Sequence, residues 1–244
     1  MAKNILIAGK ELPSIAEFAD SFALSGNNVV VADENGESKG LSSKDIKVLT
    51  WNKCSAVAAR ALILQAESLI GVPDRFIFYF DAEYFARKFS SFSLDACSYA
   101  NDSMVLGFQY LVMEVLNRIQ QHGSKATIVF ILKPVASLRD AILNPVLKST
   151  GIDIANPLVA AAEAAFATFA ESIAAMQFNN ENVQVLLVSG DENNEILKKD
   201  SSLSQWLDFY IEAALLAKHK PSAKNALAWV KAGSKNPSSF SLFR

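Results

Sequence analysis

Short apolar runs rich in Val, Ile and Phe recur along this chain, separated by longer stretches whose apolar residues fall at helical spacing. A parallel sheet wrapped by crossover helices buries both kinds of segment, so the alternation predicts an α/β fold. Seven runs read as strands: Asn4 to Ala8, Asn28 to Ala32, Ile46 to Thr50, Arg75 to Phe80, Ala126 to Leu132, Val183 to Val188 and Leu227 to Val230. Most are continuously hydrophobic rather than alternating, as strands covered on both faces are. The expected architecture is a three-layer, doubly wound sandwich around a mostly parallel seven-stranded sheet.

The intervening helices are marked by their period and their ends. Ile15, Phe18, Ala19, Phe22 and Ala23 follow the i, i+3, i+4 pattern after Pro13, and Gly26 supplies a stop. Ser55 to Ile70 forms the second helix, closed by Gly71 and Pro73; a third, long one runs from near Ser93 to Gly123, with His122 in its last turn. Asn156 and Pro157, a cap followed by a first-turn proline, open a helix reaching about Gln177, and Ser204 to Ala217 is the last. With no Pro/Gly/Ser linker, repeat or low-complexity tract, residues 1–244 are expected to form one domain.

Charge and cysteine usage narrow the function classes. A net charge of -2 argues against nucleic acid as the main partner. No unbroken apolar run reaches the length of a membrane span, and the opening residues do not read as a signal peptide. Cys54 and Cys97 stand 43 positions apart and the only histidines are His122 and His219, so neither a disulfide framework nor a zinc site of ordinary spacing is expected. The expected location is a reducing cytoplasm.

Three segments, NILIAGKELPSIAEFADSFALSGNNVVVAD, MVLGFQYLVMEVLNRIQQHGSKATIVFI and AEAAFATFAESIAAMQFNNENVQVLLVSG, carry a further resemblance. In hydrophobic pattern and length they resemble the short-chain dehydrogenase/reductase family, and the likeness spans nearly the whole chain. It implies a Rossmann-type fold and NAD(P) as the family's cofactor. The signature residues depart from it. The family's Gly-x-x-x-Gly-x-Gly turn lets backbone approach a pyrophosphate; in this register it reads Gly9, Pro13 and Ile15. Proline has no amide hydrogen to donate, and isoleucine sets a branched side chain where backbone must come close. Asp33, ending the second strand, matches the acid that accepts ribose hydroxyls in NAD-preferring relatives, although an aspartate opening Asp-Glu-Asn-Gly also suits turn chemistry. Gly9 and Asp33 are the vestigial cofactor-binding candidates.

The proton-transfer set implied by the resemblance is missing. The family's tyrosine and lysine lie one helical turn apart to face one ligand; here the register places Val159 and Glu163. Its asparagine becomes Met104, and its serines after the fifth strand become Leu132, Lys133 and Pro134. No tyrosine lies between Tyr110 and Tyr210 and no lysine between Lys148 and Lys198, so no shift of register restores the pair. Asp33, Asp81, Glu83, Tyr84, Lys133 and Asp191 remain near the carboxyl ends of the strands, with Tyr84 and Lys133 as a displaced acid pair.

No catalytic residue, cofactor or metal is therefore assigned. Ten of the 21 residues from Ala155 to Ala175 are alanine, and small or apolar residues continue around that helix. In the resembled family this helix and the long one before it form a dimer interface, so a homo-oligomer is expected through helices around 104–121 and 156–177, with Phe108, Leu111, Val112 and Val115 contributing. Residues 213–244 carry a net +6 and the rest -8, which suits an anionic partner, a neighbouring subunit's acidic body or plain solvation. Two functions follow: a catalytically silent relative acting as an oligomeric binding or structural protein, or an atypical NAD(P)-dependent oxidoreductase that keeps Asp33 and relocates its proton donor.

Overall fold

The computed structural model describes residues 2–149, 153–191, 194–216 and 222–235. Its sheet has seven strands, β1 (Asn4–Gly9), β2 (Asn28–Asp33), β3 (Lys47–Thr50), β4 (Arg75–Asp81), β5 (Ala126–Lys133), β6 (Val183–Ser189) and β7 (Val230–Lys231). They are ordered β3-β2-β1-β4-β5-β6-β7, and every pairing is parallel. The last strand begins later than its sequence suggests: Leu227 ends the short helix α11 (Ala223–Ala226), and only two residues pair with β6.

Strand alternation divides the core in two. Ile5, Ile7, Val29, Val31, Ile77, Tyr79, Val129 and Ile131 face α1 (Ala16–Leu24) and α10 (Asp200–Leu215), which pack on each other. Leu6, Ala8, Val30, Phe76, Phe78, Phe80, Ile128 and Phe130 face the opposite layer. There α2 (Ala56–Ile70), α4 (Leu94–Asn101), α5 (Gly107–His122) and α8 (Pro157–Gln177) close the core. Ser55 and Asn156 cap α2 and α8 through their side chains, as their positions predict.

Two features of the helices were not anticipated. The long helix expected from Ser93 to Gly123 is interrupted at Asp102–Leu106 by a π turn that separates α4 from α5. Four short helices lie in three of the connections among the described residues: α3 (Ala82–Lys88) after β4, α6 (Leu138–Leu143) and α7 (Val146–Ser149) after β5, and α9 (Glu195–Lys198) after β6. Of these, α3 matters most, because Asp81 caps it by accepting from the Tyr84 amide and so fixes its start at the end of β4.

Phe108, Leu111, Val112 and Val115 do not reach an outer surface. All four are buried in the core between α5 and the sheet, because the apolar stripe of α5 is used by its own domain. The expectation that they meet a partner is corrected here.

β1 passes close to the β4 backbone at Gly9. Its φ is +148°, and a Cβ there would lie 2.0 Å from the Tyr79 carbonyl oxygen. Substituting Gly9→Ala is expected to destabilise the protein by at least about 2 kcal/mol in urea titrations.

Candidate functional site

Strand order reverses between β1 and β4, so the loops leaving these two strands diverge and leave a crevice at the carboxyl edge. Open parallel sheets hold ligands at this switch point. In this protein, direct side-chain bonds span it. Lys10, just beyond β1, places its ammonium 3.2 Å from Asp81 Oδ2 at the end of β4. Glu11 accepts from the Tyr84 hydroxyl at 3.2 Å and from Lys88 Nζ at 2.8 and 2.9 Å, both from α3.

These bonds belong to two joined clusters. Around Lys10, Asp200 Oδ2 lies at 2.6 Å, the Tyr79 ring centroid at 4.8 Å, and the Tyr79 hydroxyl donates to Asp200 Oδ1 at 3.1 Å. Lys133, at the end of β5, binds Asp81 at 3.3 Å and Glu83 at 3.0 Å. Around Glu11, Lys53 approaches to 2.7 Å and also donates to the Gly9 carbonyl at 3.4 Å. Lys88 reaches on to Glu34 at 2.9 Å, which also accepts from the Tyr99 hydroxyl. Four ammonium groups thus meet five carboxylates; Lys10, Glu11, Lys53, Asp81 and Asp200 are buried at their centre, while Glu34, Glu83, Lys88 and Lys133 are partly exposed, and the near balance of charge is what allows the centre to be buried.

Burial and partners set the protonation. Burial alone raises the Glu11 carboxyl, but Lys53 and Lys88 outweigh it and hold it near a pKa of about 2. Burial lowers Lys53, against the pull of Glu11. Burial likewise opposes the Lys88 ammonium, yet its bonds to Glu11 and Glu34 keep it above its ordinary value. The Tyr84 and Tyr79 hydroxyls are both raised, by burial first and then by Glu11 and by Asp200 respectively, so neither is tuned toward proton transfer near neutrality.

Tyr84 and Lys133, the displaced acid pair of the sequence reading, engage different groups: Tyr84 donates to Glu11, Lys133 to Asp81 and Glu83. Asp191 pairs with Lys231 at 2.6 Å, away from this network. Asp33 is buried. Its Oδ1 accepts from the Leu12 amide at 2.9 Å and its Oδ2 from the Asn35 and Gly36 amides at 3.0 Å each. It therefore closes its own turn and ties down the loop after β1. Gly9 serves the approach to Tyr79.

The residues do not fit a dinucleotide in the pose its phosphate turn requires. The Leu12 amide is given to Asp33, Pro13 has none, the Ile15 amide donates to the Glu11 carbonyl and that of Ala16 to the Pro13 carbonyl. Gly40, in the loop after β2, covers the start of α1 so closely that a Cβ there would lie 2.7 Å from Pro13 Cβ. Ile15 is sealed in the α1 core. Val159 and Met104, standing at the tyrosine and asparagine positions, are buried in the opposite core, while Glu163 is half-buried on α8. Among the described residues no group of three His, Cys, Asp or Glu side chains is arranged to hold a metal ion.

Strand order, parallel pairing and the two helical layers together define a doubly wound Rossmann-type protein. Solved structures give it a closer likeness: short-chain dehydrogenases. One from Leptospira borgpetersenii serovar Hardjo-bovis with bound NAD+ matches at 12% identity and TM-score 0.57, over 95% of this chain and 90% of that one. A short-chain dehydrogenase from Bacillus anthracis matches at 15% and 0.58, over 93% and 92%. The 3-ketoacyl-(acyl-carrier-protein) reductase from Brucella melitensis, complexed with NADH, matches at 11% and 0.58, over 95% and 98%. At these identities the likeness is one of fold, and this chain has the short-chain dehydrogenase/reductase fold. No protein-family model and no curated protein matches it in sequence.

The depressed Glu11 carboxyl gives a pH signature. A carboxyl held below its unfolded value contributes stability that is fully present above about 4.5 and lost as pH falls toward about 2. Across that window wild type is expected to lose on the order of 2 kcal/mol more than Glu11→Gln does, measured by urea titration at a series of pH values.

Proposed function

We propose that this chain is a short-chain-dehydrogenase-like protein that has lost oxidoreductase activity and acts as an oligomeric binding or structural protein in a reducing cytoplasm. One observation carries the reading. At the positions where the resemblance would place the proton donor and its relay, Val159 and Met104 are core side chains packed against the sheet. A hydrophobic side chain in that position has no proton to give, and burial leaves no room for a substituted donor beside it. The internal use of Asp33 and of the amides at the start of α1 supports the same conclusion.

The surface that supports oligomerisation is the outer face of the α5 and α8 layer. On α8, Ala161, Ala164, Thr168, Ser172 and Ala175 share an exposed face of mostly small residues, flanked by Glu171, which accepts from Trp229; small side chains let another backbone come close. Beside it, Met113 and Met176 are exposed at a groove of about 540 Å³ between the far ends of α5 and α8. α8 is, among the described residues, the one helix long and apolar enough by length and composition to cross a membrane. Its Val159, Ala162, Phe166, Ala170 and Ile173 pack into the core, so the excess apolarity lies on the other face and suits a protein partner.

Titrating NADH and NADPH against the protein by thermal shift is expected to give no saturable change. An oxidoreductase with a relocated donor would instead gain about 2.7 kcal/mol at a hundredfold excess over Kd, a rise in Tm of several degrees. On gel filtration the protein is expected to run as a dimer or larger, and Ala164→Glu to run as a monomer with unchanged Tm; a wild-type monomer at tens of micromolar would remove the oligomeric reading.

A further inference from the structure

Lys53 Nζ stands 2.7 Å from Glu11, Lys88 Nζ stands within 2.9 Å of both of its oxygens, and the Tyr84 hydroxyl donates to it at 3.2 Å. Three donors from two separate connections thus converge on one carboxylate at the topological switch point, where parallel sheets of this kind hold ligands. We propose that Lys53, Lys88 and Tyr84 form a small-anion site and that the chain's own Glu11 occupies it from within. The chemical class such a site takes is a carboxylate or a phosphate-like oxyanion. The assignment rests on the reading that this crevice no longer seats a dinucleotide.

The surroundings separate a site from an ordinary ion pair. Glu34 on one side holds Lys88 in place at 2.9 Å, so Lys88 keeps a partner when Glu11 is removed. Among the described residues Lys53 has no second carboxylate within ion-pair distance: it otherwise meets the Gly9 carbonyl at 3.4 Å and the Trp51 and Phe85 rings at 5.2 and 5.9 Å. Its side chain is 2% exposed. Deleting the Glu11 carboxylate therefore leaves a buried ammonium short of an anion, inside a volume shaped for one. Any acidic ligand entering the crevice of the wild-type protein competes with Glu11 for these donors, which makes Glu11 an internal competitor.

The test is anion rescue of Glu11→Ala. Its Tm is measured in chloride at neutral pH and then with chloride replaced, at constant ionic strength, by sodium acetate in one arm and sodium phosphate in the other. In chloride the variant is expected to melt about 10 °C below wild type. Acetate, phosphate or both should restore part of that loss with a saturable, millimolar dependence, while wild type stays unchanged. Response to acetate alone defines a carboxylate site, and response to phosphate defines an oxyanion site. Two flat arms overturn the proposal. Glu11→Gln keeps the side-chain volume and removes the charge, so it should be destabilised in chloride and unresponsive to either anion. Glu11→Gln as stable as wild type would overturn the proposal even if Glu11→Ala cannot be purified. NADH binding by wild type would sink the functional reading by itself, because the rescue is measured without nucleotide.

Discussion

Glu11 sits where three connections meet, and its carboxylate takes a bond from each of two lysines and a tyrosine. Lys53 arrives from the loop after β3, Tyr84 and Lys88 from the helix after β4, and Glu11 itself from the end of β1. In a buried place such as this, an unpaired charge costs several kcal/mol, so each member is stable only while the others are present. That mutual dependence turns the loops into one unit. The same logic governs Lys10, which is held between Asp81 and Asp200 and so joins β1, β4 and α10.

The placement of these charges follows from the strands beneath them. Gly9 lets β1 run against Tyr79 without a side chain between, and the two residues that follow are thereby delivered to the crevice. Asp33 holds the next residue, Leu12, by its amide, which fixes the loop's path toward Pro13 and α1. On the far side, Asp81 both ends β4 and caps α3, so Tyr84 and Lys88 project back over β1. Gly9 and Asp33, at the positions the family resemblance assigns to its cofactor, are thus used to build the arrangement that spans the crevice.

Much of this fold was legible in the sequence because hydrophobic period is a local signal. Six of the seven strand positions, and the caps Ser55 and Asn156, stood in the sequence for that reason. For β7 the apolar run Leu227 to Val230 marks a seventh strand but not its bounds, since only Val230 and Lys231 pair with β6. The π turn at Asp102–Leu106 leaves no mark on the apolar pattern, and α3 is too short to show a period. The network was the least visible part. Lys10, Glu11, Lys53 and Lys88 each look like an ordinary loop or surface residue, and their partners lie from 42 to 190 positions away. Charge pairing over that distance has no sequence period. The one hint is that Lys10 and Glu11 follow an apolar run directly, at the edge where a parallel sheet has its open end. Similarly, the apolar residues of α5 were legible as a stripe, but a stripe does not say whether it faces a sheet or a partner; burial of Phe108 and Leu111 against the sheet decides it.

What the chain leaves available for recognition follows from the same division. At the sheet edge every strong donor and acceptor described above is matched to another of its own, and a ligand there must displace a bonded group. The outer layer is the opposite case: Ala164, Ala161, Met113 and Met176 are exposed and apolar or small, so a partner that covers them displaces only water. Association at that face therefore needs no polar bond to be broken first, whereas entry at the crevice does.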